Sequence, residues 1–60
     1  MAELERILLV ENDPDISDMI ARQALQPLGY RVDVAAEAGS ALRQAVQTPP
    51  ELVIANLSLP

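Results

Sequence analysis

The stretch Ile7-Leu8-Leu9-Val10-Glu11-Asn12-Asp13-Pro14 decides the fold of this chain. Its continuous apolar run suits a strand buried on both faces, as parallel sheets require, and the acidic cluster after Val10 ends it. Asp13 followed by Pro14 reads as a helix N-cap and then proline at the first helical position, where the missing N–H removes no hydrogen bond. A buried strand therefore turns directly into a helix.

Beyond this junction, Ile16, Met19, Ile20, Ala24 and Leu28 recur at helical spacing, while Asp15, Asp18, Arg22 and Gln26 fall largely on other faces. This predicts an amphipathic first helix with Met19 in the core. Asp15 and Asp18 lie in its first turns, where acids offset the macrodipole. Pro27 cannot sit in a helix interior without losing a bond, and Gly29 suits a left-handed C-terminal position, so the helix ends near Gln26 to Leu28. Tyr30-Arg31-Val32-Asp33-Val34 alternates with a period of two, which predicts an edge strand with one face in the core and Tyr30 as a packing residue. Ala38, Ala41, Leu42, Ala45 and Val46 fit a second helix, weakened in its first turn by Gly39 and stopped by Thr48-Pro49-Pro50. Leu52-Val53-Ile54-Ala55 is a second continuous apolar run and so a third buried strand. Leu57 to Pro60 begins a loop.

Alternating strands and helices with short connections predict right-handed crossovers and a parallel sheet of order 2-1-3, an α/β arrangement. That order puts strand three at an open edge with one helix per face, although its sequence expects cover on both sides. Something that should pack there is absent.

Composition narrows the function. At 60 residues the chain holds one small domain at most, or part of one, and its stability alone is marginal. With no Cys and no His, neither a disulfide nor the usual zinc site can form. Net charge is -5, and the four basic residues, Arg6, Arg22, Arg31 and Arg43, are spread singly, which argues against nucleic-acid binding by this segment. The N-terminus is acidic and its apolar run too short for a signal peptide or membrane span, so the expectation is a cytoplasmic protein with no membrane partner.

In open parallel sheets, ligands bind outside the carboxyl ends of the strands, and those ends carry Glu11, Asn12, Asp13 and Asn56. The first turn has no glycine through which backbone N–H groups could approach phosphate, so dinucleotide and P-loop readings fail. An acidic cluster there suits a hard cation such as Mg²⁺.

The order and spacing of Ile7 to Pro14, Leu28-Gly29-Tyr30, Ala41-Leu42 and Leu52 to Pro60 resemble the receiver domain of bacterial two-component response regulators. The resemblance covers residues 1–60 and the first half of the family's flavodoxin-like fold, a βαβαβ unit of strands one to three and helices one and two. It implies a phosphorelay signalling role, no enzyme activity and no catalytic residue. In the family, an acidic pair after strand one holds Mg²⁺ and an Asp ending strand three accepts phosphate from a histidine kinase. By position, Glu11 and Asn12 match the pair and Asn56 matches the phosphoacceptor. Asp13 is then the helix cap beside the pocket. The family's later functional residues, a Thr or Ser and a Lys, would fall beyond Pro60. Partners implied are a histidine kinase or an effector domain.

Both amides alter that chemistry. A carboxylate can attack phosphorus, whereas an amide is a poor nucleophile, so no acyl phosphate is expected at Asn56. Each charge pair near ~4 Å is worth about 4 kcal/mol at an effective dielectric of ~20, so with Glu11 as the only formal charge inherited, Mg²⁺ should bind poorly and no cofactor is expected. Taken singly, Asn12 and Asn56 are ordinary turn residues after strands. Together at the positions of one acid site they favour a degenerate receiver, or a phosphorylatable receiver whose acids were replaced by engineering. A third reading is a structural half-domain that self-associates to cover strand three.

Overall fold

The computed structural model describes residues 6–56, so the loop expected over Leu57 to Pro60 lies outside the described residues. Strand β1, Arg6–Glu11, occupies the centre of a parallel three-stranded sheet of order β2-β1-β3, between β2, Arg31–Ala35, and β3, Leu52–Asn56. The arrangement is α/β and flavodoxin-like. A central strand meets protein on both edges and both faces, which is why its uninterrupted apolar run is the most buried part of the described residues. Leu9 is fully inaccessible, and Ile7, Leu8 and Val10 are all buried.

Asp13 caps helix α1, Pro14–Asp18, through bonds from the Asp15 and Ile16 N–H groups to its side chain. The helical path then widens into a π-helix, Met19–Leu25, tightens into a 3₁₀ turn, Gln26–Leu28, and ends at Gly29, whose φ of 96° is the left-handed value foreseen for it. The widening corrects one expectation. Wider turns, closed by bonds such as Gln26 N–H to the Ala21 carbonyl, rotate successive side chains away from the simple helical stripe. Ser17 and Ala21 face inward, while Met19, expected in the core, is 51% exposed and Leu28 also lies outside.

Helix α2, Ala38–Gln47, packs on the other side of the sheet, where Ala41 and Ala45 meet Leu8, Val10 and Ala35. Thr48, Pro49 and Pro50 follow it, and the Glu51 N–H donates to the Arg6 carbonyl, starting β3 alongside β1. Both outer strands are edges. Val34, assigned to a core face by its alternation, remains partly exposed at the β2 edge. Leu52 and Val53 are exposed on β3, and Leu42 and Val46 are exposed on the adjoining flank of α2. Between them runs an open apolar trough of about 270 Å³, with Leu8 and Val10 as floor and Ala41, Leu42, Ala45 and Val53 as walls. The cover on both faces that the β3 sequence expects is therefore not supplied by the described residues.

Candidate functional site

The parallel register pairs Ile7 with Leu52, Leu9 with Ile54 and Glu11 with Asn56. Paired residues of neighbouring strands share a face, so the two carboxyl-end side chains emerge together on one side of the sheet. The Asn56 amide Nδ2 donates to Glu11 Oε1 at 2.5 Å, with a carboxylate oxygen as the acceptor. The other carboxylate oxygen, Oε2, accepts the Asp13 backbone N–H at 2.9 Å. Glu11 is only 3% exposed, and among the described residues no buried side-chain polar atom lacks a partner. Burial of this carboxylate is tolerated because both oxygens accept hydrogen bonds from donors within the chain.

Asp13 faces the helix instead. Its Oδ1 accepts from the Asp15 N–H at 2.9 Å and the Ile16 N–H at 3.4 Å, and its carbonyl accepts the Ser17 N–H at 2.9 Å. Asn12 is exposed in the turn and stands apart from the Glu11–Asn56 contact. Of the four residues singled out from sequence, then, Glu11 and Asn56 bond directly, Asp13 reaches Glu11 through its backbone, and Asn12 takes no part in these bonds. Met1 to Glu5 and Leu57 to Pro60 aside, no group of three His, Cys, Asp or Glu side chains able to hold a metal is found. No described helix is long and apolar enough to cross a membrane.

The sequence puts Asn56 at the position of the phosphoacceptor, and an amide there can donate a hydrogen bond where a carboxylate cannot. The particular donor–acceptor pair depends on the β1–β3 register. The capping role of Asp13 was legible from the Asp-Pro signal; its backbone bond to Glu11 was not, because it depends on how tightly the chain turns after β1.

No family model and no solved structure matches the chain. Its sequence is 37% identical over 57 residues, or 95% of the chain, to the DNA-binding dual master transcriptional regulator RpaA of Synechocystis sp.. The chain spans 23% of the length of that relative. This similarity supports a receiver-domain relationship and agrees with the sheet order.

Proposed function

We propose that this chain, related to a response regulator over nearly all of its length, is a receiver-type module of two-component signalling that acts through protein contact without being phosphorylated. The reading includes the N-terminal strands and helices of a receiver, with Asn56 at the phosphoacceptor position. One observation supports it above the others: Asn56 presents an amide to Glu11 where the family's chemistry needs a nucleophilic carboxylate. An amide nitrogen already donating to a buried acid has neither the charge nor the free lone pair to attack phosphorus. A non-enzymatic, contact-based role is what such a site retains, with a kinase or an effector domain as partner. A cytoplasmic location is part of this reading.

Incubation of the chain with an acyl-phosphate donor and Mg²⁺, followed by intact-mass measurement, tests this. Unchanged mass is the expected result, and a phosphoryl adduct mapped to Asn56 overturns the reading.

The open β3 edge and the apolar trough favour a second, compatible reading in which the isolated chain self-associates. Edge strands with unpaired N–H and C=O groups and no charge or proline within them pair readily with other chains, and Leu52 to Asn56 contains neither. Sedimentation velocity over a range of concentrations checks it. A monomer at every concentration refutes it.

A further inference from the structure

We propose that Asn56 is the built-in counter-group of Glu11, so that the end of the sheet is closed without a divalent cation. The inference deepens the receiver-type reading, which is what raises Mg²⁺ as an occupant. Mg²⁺ binds oxygen ligands in near-octahedral geometry and relies on carboxylates free to face it. Here Glu11 Oε1 is taken by the Asn56 amide and Oε2 by the Asp13 N–H. The Asp13 carboxylate is turned to the start of the helix. Asn12 is neutral and solvent-exposed. These donors do not fit the cation: its entry would require displacing an N–H donor from a buried acid that has no other partner for that oxygen.

The consequence is a fixed state. The amide does what a bound cation does in an acid pocket, offsetting the Glu11 charge and tying the end of β3 to the end of β1. An amide held by the covalent chain cannot dissociate, so the strand ends are joined whatever the metal concentration. Replacing Asn56 by Asp would put a second carboxylate oxygen against Glu11 Oε1, and two like charges so close require a proton or a cation between them. That single change should convert a metal-indifferent pocket into a metal-dependent one.

Thermal unfolding of the whole chain and of its Asn56→Asp and Asn56→Ala variants, with and without millimolar MgCl₂ at matched ionic strength, provides the test. The unsubstituted chain is expected to melt at the same temperature in both buffers. Asn56→Asp should melt roughly 10 °C lower without Mg²⁺ and recover with it, whereas Asn56→Ala should lose a similar amount and recover nothing. A melting point of the unsubstituted chain that rises with Mg²⁺, or an Asn56→Asp variant as stable as the original without metal, overturns the proposal. Should Asn56→Asp remain unfolded in both buffers, amide NMR of the unsubstituted chain decides: Mg²⁺-induced shifts at Glu11 and Asp13 overturn it, and their constancy supports it. A phosphoryl adduct on the unsubstituted chain would defeat the reading of a module that acts without being phosphorylated, while Mg²⁺-dependent melting with no adduct would defeat this inference alone.

Discussion

A double-mutant cycle on Glu11 and Asn56 measures how strongly the strand ends are joined. The Asn56 Nδ2 to Glu11 Oε1 bond is 2.5 Å long, and its acceptor is a carboxylate in a residue only 3% exposed. A hydrogen bond to a charged group contributes about 1.5–3 kcal/mol, and burial of the acceptor keeps water from replacing the lost donor cheaply. Asn56→Ala should therefore cost about 2 kcal/mol, because Glu11 Oε1 is stranded while Oε2 keeps the Asp13 N–H. In a Glu11→Ala background the same substitution should cost only a few tenths of a kcal/mol, since Asn56 is then an exposed polar residue with no acceptor. The difference, a coupling of about 1.5–2 kcal/mol, is read from urea unfolding followed by far-UV circular dichroism. For a domain of this size that coupling corresponds to a melting shift of roughly 6–15 °C. Because Glu11 is buried, high salt should leave most of it in place. A coupling below about 0.5 kcal/mol, within the usual additivity of independent sites, would show that the two side chains do not hold each other.

Three further outcomes follow from the packing. Leu9→Ala removes a leucine that is fully inaccessible and should cost about 2–5 kcal/mol, enough to unfold a chain this small, with loss of the cooperative urea transition as the sign. Gly39→Ala should raise stability by about 0.5–1 kcal/mol, because an added Cβ meets only the end of the Arg43 side chain at 3.9 Å; an unchanged or lowered midpoint would contradict it. Val53→Lys places a charge on the open edge at a position already half exposed, and it should abolish concentration-dependent sedimentation while leaving the circular dichroism spectrum unchanged.

Much of this molecule is legible because its local signals agree with one another. The Ile7 to Val10 run, the Asp13-Pro14 cap, Gly29 and the Pro49-Pro50 stop each mark an element boundary by a steric or hydrogen-bonding rule that acts over a few residues. These boundaries hold to within a residue or two: β1 extends by Arg6 and Glu11, β2 shifts to Arg31–Ala35, and α2 spans Ala38–Gln47. The first helix is where local rules fail. No residue in Met19–Leu25 announces a π-helix, and a stripe drawn at ordinary helical spacing selects Met19 over Ala21 as core. The α2 helix is legible from its apolar stripe, yet only Ala41 and Ala45 of that stripe pack on the sheet and Leu42 and Val46 are exposed, since a sequence specifies an apolar flank without supplying the surface that covers it.

For the candidate site, the sequence by itself determined which groups stand at the strand ends: one acid at Glu11, amides at Asn12 and Asn56, and a capping acid at Asp13. That is enough to say that residue 56 offers no carboxylate nucleophile, because reactivity belongs to the functional group. Only the tertiary structure decided how those groups use one another. Residues 11 and 56 are brought together by the parallel register of β1 and β3, a long-range pairing fixed by burial of the apolar runs preceding each of them. The same packing separates the two amides, leaving Asn12 in solvent and turning Asn56 onto a buried carboxylate, where a neutral side chain replaces charge by a hydrogen bond.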